Sequence, residues 1–544
     1  PRWFKPWPAG ARTTTSVLGS EVPLGDVHFD CGGVRIGFEI CEDAWVAERR
    51  GAELSLAGVD LILNPSASHF AFGKHAVRRR LVLEGSRAFG VTYLYANLLG
   101  NEAGRAIYDG DALIATDGTL LAEAPRFGFE ESELTSAVID VELSRARQGW
   151  RSGFSPSVTD EPGGVAVPFS FPKQAPTAPP PDLGRSAWES GGYVKEEEFA
   201  RALALGLFDY LRKSHSRGFV VSLSGGADSS AVASACAFMV ALAVKDLGLL
   251  GLQRVLSYVP GVSSASDARE VVRAVLTTVY QATKHSSDLT RSAARDVADA
   301  LGSRHIELDV DVQVEGYVSM IEGALGRKLD WKTDDIALQN IQARARAPSV
   351  WLLANIGQAL LLSTSNRSEA AVGYATMDGD TAGGLSPIAG IDKAYLRRWL
   401  VWLEKTGPLG VGPIPALSAV NIQAPTAELR PPSEHQTDEA DLMPYDLLDA
   451  IERAAIRDKR GPLEVYELMS ALFPQHAPAA LVGWVERFFR LFTRNQWKRE
   501  RYAPSFHVDD ENLDPKTWCR FPILSGGFER ELAQLRALVL GPGA

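Results

Sequence analysis

The run Ser224-Gly-Gly-Ala-Asp-Ser-Ser230 constrains this chain more than any other feature. It sits between the apolar stretch Phe219-Val-Val-Ser-Leu223 and a long apolar segment that begins at Ala231. An apolar run, then glycines, then a helical stretch reads as strand, turn and helix. At such a turn the first N–H groups of the helix lack intrahelical acceptors and converge with the positive end of the helix dipole, so the place favours a phosphate. Gly225 and Gly226 let the backbone come close, and Ser224, Ser229 and Ser230 offer hydroxyl donors. Asp228 would repel a bare phosphate but suits a Mg²⁺ that bridges phosphate oxygens, so the loop predicts a metal–nucleotide site. It matches neither G-x-x-x-x-G-K-[ST] nor G-x-G-x-x-G, which sets aside a γ-phosphate loop and a dinucleotide fingerprint.

The surroundings predict an α/β architecture. Glu196 to Lys213 has an acidic first turn and a basic last turn, as a helix dipole favours. Strand candidates at Arg254–Val259 and His305–Val310, with helices between, predict a doubly wound parallel sheet. Towards the N-terminus, Val34–Phe38, Asp60–Asn64, Val91–Tyr95, Ala112–Ala115 and Ser136–Asp140 read as strands, and Lys74–Phe89 as a helix, which together predict an α/β sandwich. Pro156 to Gly192 holds Pro-rich and Gly-rich segments such as Ala178-Pro-Pro-Pro-Asp182, and predicts a linker without helix or central strand, or equally an ordered Pro-rich loop wrapped on the first domain. The expected organisation is therefore a first domain over 1–155, a linker over 156–195 and a second domain over 196–544.

A chain of 544 residues is too long for one core, which agrees with two domains. The net charge of -11 gives no footprint for a nucleic-acid partner. Cys31, Cys41, Cys236 and Cys519 are widely spaced, and no C-x-x-C pair suggests a disulfide framework or zinc site; a reducing, cytoplasmic setting is the expectation. The longest apolar segment, Ala231 to Leu249, is broken by Lys245 and Asp246 and predicts a buried helix, not a membrane span. The first residue is Pro1 and not Met, so upstream sequence is expected.

The Ser224–Ser230 loop resembles the pyrophosphate loop of enzymes that split ATP between its α and β phosphates. Further blocks resemble NAD synthetases in order and spacing over nearly all of Glu196 to Pro522. They are Tyr280–Asp288, Ala337–Arg344, Ser363–Glu369 with Gly373-Tyr374, Pro425–Arg430 and Gln436–Glu439. The resemblance implies adenylation of the nicotinate carboxylate of deamido-NAD by ATP, followed by attack of ammonia. Asp228 and Glu369 would share Mg²⁺, Thr364 would contact ATP, and Lys393 would stabilise the departing pyrophosphate. Asn340 and Arg344 would seat the dinucleotide, and Lys498 and Arg499 would close over it.

In the first domain, Glu39-Ile-Cys-Glu-Asp-Ala-Trp45 follows a strand and would put Cys41 on a sharp turn. This block resembles the amidase domains of the nitrilase superfamily, as do Asn64–Ser68, Tyr95–Asn97 and Asp109–Asp111. The resemblance makes Cys41 the nucleophile on the carboxamide of glutamine and places Glu42 and Ser68 at the glutamine site. The general-base glutamate and oxyanion lysine of relatives lie upstream of an Arg-Trp-Phe motif, here Arg2-Trp-Phe4. The expectation is an omitted N-terminal segment; the alternative is an ammonia-only enzyme with an inactive nitrilase-fold scaffold.

Together the two halves resemble glutamine-dependent NAD synthetases, which implies homo-oligomers, commonly octamers, and an internal passage for ammonia. The rival reading is another ATP-pyrophosphatase amidotransferase of the GMP synthetase type, whose glutaminase carries a Cys-His-Glu triad.

Overall fold

The apolar runs of the N-terminal part become neighbouring strands. The computed structural model describes residues 7, 8, 10–102, 104–150, 164–172, 174, 183–423, 429, 430, 438–509 and 511–541. Arg2-Trp-Phe4, Ala178–Asp182, Pro425–Glu428 and Gln436-Thr437 lie outside them. The chain divides into two units, one of residues 1–100 and 108–194, the other of residues 101–107 and 195–544.

In the first unit, β1 (Arg12–Val17) and β2 (Ser20–Gly25) form an exposed antiparallel hairpin. The turn residues Leu18 and Gly19 both have positive φ, as a two-residue hairpin turn demands. The main sheet comprises β3 (His28–Cys31), β4 (Val34–Phe38), β5 (Leu61–Ser66) and β6 (Thr92–Asn97). After the short pair β7 (Leu99–Gly100) and β8 (Tyr108–Asp109), it continues with β9 (Ala112–Thr116), β10 (Thr119–Glu123) and β11 (Gly164–Val167). The order is β10-β9-β6-β5-β4-β3-β11, with β4, β5 and β6 parallel. The helix Lys74–Phe89 buries Val82 in a core with Leu54, Ile62, Tyr93 and Leu113.

One expectation fails here, and one segment gains an element. Ser136–Asp140 forms no strand; the Asp140 carboxylate instead accepts from Leu143 N at 2.9 Å and caps the helix Val141–Gly149. The expected linker contributes β11, because Gly-Val-Ala-Val lacks proline and pairs in parallel with β3 at the sheet edge.

In the second unit, β12 (Phe219–Ser222), β13 (Leu276–Ala282), β14 (Arg304–Asp309) and β15 (Leu360–Leu362) form an all-parallel sheet in the order β14-β13-β12-β15. Arg254–Val259 is not a strand. The helix Ala227–Val255 runs into it, broken at Gly248 by φ 70°, and the strand comes later as β13. That helix is long and apolar enough to cross a bilayer, yet more than half of its most apolar stretch, including Val232, Cys236, Phe238 and Val240, is buried in this unit. The helices Tyr445–Glu452, Pro462–Leu472, Pro478–Arg494 and Glu529–Val539 enclose a further core of Leu448, Met469, Val485, Phe489 and Leu532.

The order of the parallel sheet has a direct consequence. Successive crossovers run from β12 outward to β13 and β14, then return to the opposite side of β12 as β15. The crevice between the loops that leave β12 and β15 is the switch point, where open α/β sheets bind ligands.

Candidate active site

The loop after β12 closes on itself. Ser224 N donates to Ser229 Oγ at 3.1 Å, Ser229 Oγ donates to Gly226 O at 3.2 Å, and Ser230 N donates to Gly226 O at 3.2 Å. Gly226 is the N-cap of the helix, and no side chain caps that end, which leaves the first turn as an anion site. Gly225 has φ +81°, and a Cβ there would stand 2.1 Å from Thr290 O, so neither the backbone nor the space admits a side chain.

The loop after β15 meets it. Asn366 caps the helix Arg367–Val372 through Glu369 N, at 3.0 Å, and its Nδ2 donates to Asp228 Oδ1 at 2.9 Å. Lys393, first residue of the helix Lys393–Lys405, is buried; its ammonium pairs with Asp228 and lies 3.4 Å from Glu369 Oε1. Burial works against that charge, but Asp228, Glu369 and Asp438 outweigh it and hold the Lys393 pKa above its ordinary value. Burial, then the Asp228 charge, push the Glu369 carboxyl up to about 8. Burial and Asp228 likewise raise Asp438.

These groups line a cavity of about 560 Å³, within the usual range for small-molecule sites. Ser224, Gly226, Asp228, Asn340, Thr364, Glu369, Lys393 and Lys498 all face it. Asn340 Oδ1 accepts from Thr376 Oγ1 at 2.8 Å, and Lys498 Nζ donates to Gly373 O and Ala375 O at 2.7 and 2.9 Å. Burial lowers the Lys498 pKa.

Five candidates stand elsewhere, the first being Gly225, pressed against the Thr290 carbonyl. Ser229 spends its hydroxyl inside the loop, and Ser230 is fully buried one position on, turned to the core by the helical step. Arg344 donates from Nε to Met377 O at 3.0 Å on an exposed edge. Arg499 is buried over the Phe492 ring and donates to Ala371 O at 2.8 Å; it braces the fold and does not face the cavity. Conversely, Asp438 and Arg346 line the cavity and were not singled out from sequence. Asp438 lay within the block Gln436–Glu439, so the signal was there; Arg346 lies two residues past the Ala337–Arg344 block.

In the first unit, Cys41 opens the one-turn helix Cys41–Ala44 three residues after β4. Its φ of +49° is costly for a residue with a Cβ, and such backbone strain collects at reactive positions. Two residues earlier Glu39 is fully buried and clamped, accepting from Arg49 Nη2 at 2.7 Å, Gly51 N at 2.9 Å and Tyr93 OH at 2.5 Å. Asn64 Nδ2 donates to Tyr93 OH at 2.9 Å, so strands β4, β5 and β6 all brace the turn. Sequence reasoning missed this brace. Ser68 lies just past the end of β5, the parallel neighbour of β4; its N–H donates to Asn97 Oδ1 at 2.8 Å. Glu42 is exposed on the Cys41 turn.

Comparison with known proteins agrees with this two-site organisation. Residues 2–148 match the carbon-nitrogen hydrolase family and residues 199–500 match NAD synthase. The glutamine-dependent NAD(+) synthetase of Saccharomyces cerevisiae is 30% identical over 588 residues, covering 98% of this chain and 81% of its own. That of Mus musculus is 31% identical over 566 residues, covering 96% and 76%. The crystal structure of a glutamine-dependent NAD(+) synthetase from Cytophaga hutchinsonii superposes with a TM-score of 0.78 at 42% identity, over 98% of this chain and 79% of that one. Both halves and nearly the whole length agree: the chain belongs to the glutamine-dependent NAD(+) synthetases.

Proposed function

We propose that the second unit binds ATP and deamido-NAD in the switch-point cavity and joins them as the adenylate. A nicotinate carboxylate oxygen attacks the α-phosphorus of ATP, pyrophosphate leaves, and ammonia then displaces AMP to give the amide. The observation that carries this reading is the uncapped helix start at Gly226, facing a cavity beside Asp228, Glu369 and Lys393. Amides fixed there, with the Lys393 ammonium, favour the charge that develops on a departing pyrophosphate. A more distant structure of this family, from Acinetobacter baumannii, was solved in complex with ADP, although at 20% identity and a TM-score of 0.52 the likeness concerns fold alone.

The donor set fits Mg²⁺. Three crowded carboxylates, Asp228, Glu369 and Asp438, face one ammonium, and burial first, then the Asp228 charge, raise the Glu369 pKa. Asp228 and Glu369 would hold the ion, which when bound neutralises phosphate oxygens. Thr364 would contact ATP, and Asn340 and Lys498 would position the dinucleotide.

Cys41 would take the glutamine carboxamide as its thioester and release ammonia, with Ser68 beside it. The four cysteines are free thiols, which suits a cytoplasmic setting. A homo-oligomer is supported by the exposed apolar side chains Val312, Met320 and Ile356 on the helices Asp311–Leu325 and Asp335–Gly357. One assay tests the reading: pyrophosphate release and NAD formation with deamido-NAD and ATP, fed by glutamine or by ammonium. Turnover with xanthylate and none with deamido-NAD would overturn it.

A further inference from the structure

We propose that His75, Glu123 and Glu189 hold a buried divalent transition-metal ion of the zinc class, a structural clasp in the first unit outside both sites described above. The three residues are buried, and each offers a ligand atom within 4.8 Å of the others. Glu189 Oε1 lacks a hydrogen-bond partner, and His75 Nε2 and Glu123 Oε1 face each other beside it at 3.1 Å. An orphaned buried carboxylate oxygen is costly, and a cation held between it, Glu123 and the imidazole would satisfy all three.

The histidine is set for a metal. Asp111 Oδ2 lies 3.0 Å from His75 Nδ1, and Asp111 is itself held by Arg78 Nη1 at 2.9 Å. A carboxylate on one ring nitrogen turns the other towards a cation, the usual arrangement behind a metal-bound imidazole. That other nitrogen, Nε2, lies 3.1 Å from Glu123 Oε1. Two ligand atoms on a tetrahedral zinc at about 2.0–2.1 Å stand about 3.3–3.4 Å apart, so the spacing is nearly that of a coordination edge.

Charge points the same way. The cluster joins four buried carboxylates, Asp109, Asp111, Glu123 and Glu189, to two guanidinium groups, Arg78 and Arg126. Among the described residues this leaves two negative charges. Against burial, Asp111 and Glu123 hold the His75 pKa up at about 9, so a proton on the imidazole offsets one of those charges, whereas a divalent ion on the neutral imidazole offsets both. Arg126 uses Nε on Glu189 Oε2 at 2.9 Å and leaves Oε1 to the site, while Arg185 bonds the Glu189 carbonyl. Phe127 and Trp188 pack around Arg126 and keep the cluster dry. Imidazole with carboxylates and no thiolate fits zinc before copper(I) or an iron–sulfur cluster. The ion would tie together the helix Lys74–Phe89, β10 and the turn Ala187–Ser190, which are far apart in sequence.

The test is elemental analysis of the full chain, purified without metal-affinity resin. We expect one zinc per chain, an X-ray absorption spectrum with only nitrogen and oxygen at about 2.0–2.1 Å, and a Tm lower by at least about 3 °C after strong chelation. His75→Gln and Glu189→Gln, checked for folding by circular dichroism, should each lose the metal at least tenfold. The proposal is overturned if folded variants retain it. It is equally overturned if wild-type protein holds no transition metal and zinc leaves its Tm unchanged, the outcome expected when His75 is instead a protonated imidazolium. Where the variants do not fold, the wild-type metal content and spectrum decide.

Discussion

Asn366 donates to Asp228 Oδ1 at 2.9 Å while its own Oδ1 caps Glu369 N at 3.0 Å. One amide thus fixes the spacing of two carboxylates that leave different strands. Asn366→Ala removes the cap, worth about 1 kcal/mol, and frees Asp228 to turn. The expected outcome is a Tm lower by about 2–4 °C and a fall in kcat, at saturating ATP, larger than that stability loss accounts for. Differential scanning calorimetry and ammonium-fed NAD formation measure the two effects. A Tm shift with unchanged kcat would show that the amide only caps.

Gly225 is held at φ +81° against the Thr290 carbonyl. Gly225→Ala adds a left-handed penalty of about 1–2 kcal/mol and a clash the helix Asp288–Leu301 must yield to. ATP-dependent turnover should drop by at least about tenfold, since the anion-binding turn moves, while glutamine hydrolysis persists. Steady-state kinetics of the two half-reactions, run separately, distinguish this from general unfolding.

Cys41 carries strained backbone at a strand end. Cys41→Ala should cut glutamine-supported NAD formation by about 10³-fold or more and leave ammonium-supported formation intact. Equal loss with both nitrogen donors would remove the cysteine from the role assigned to it.

His507 is buried and accepts from Trp518 Nε1 at Nδ1, at 2.7 Å, which fixes its proton on Nε2. Burial pushes its pKa down to about 4. Between that value and about 6.5 in the unfolded chain, the unfolded state binds more protons, so stability is lost as pH falls through this window. The full effect is about 3 kcal/mol, present at pH 7 and mostly gone by pH 4. Urea denaturation of wild type between pH 7 and 4.5, compared with His507→Gln, should show a shallower slope in the variant.

What the sequence made legible was what is contiguous. Ser224–Ser230 carries its own turn chemistry, and Val34–Phe38 and Lys74–Phe89 match their elements end to end. Failures came where one local signal overrode another. The helix from Ala227 passes its break at Gly248 and consumes the residues taken as a strand, because apolar length alone does not separate buried helix from strand. The hairpin β1–β2 is exposed and threonine-rich, without the apolar alternation that marks a half-buried strand. Side-chain direction was hidden too. Lys498 and Arg499 are adjacent on one short helix, and a single step sends the first to the cavity and the second into the core.

The order of the parallel sheet also shapes how the chain comes off the ribosome. Asp228 and Asn366 are separated by 138 residues, and the strand that brings them together, β15, is the last of the four to be made. Until Leu360–Leu362 docks beside β12, the turn with Asp228 has no Asn366 to hold that carboxylate. The Asp228–Asn366 contact can therefore form only once the closing strand and the loop behind it have been made.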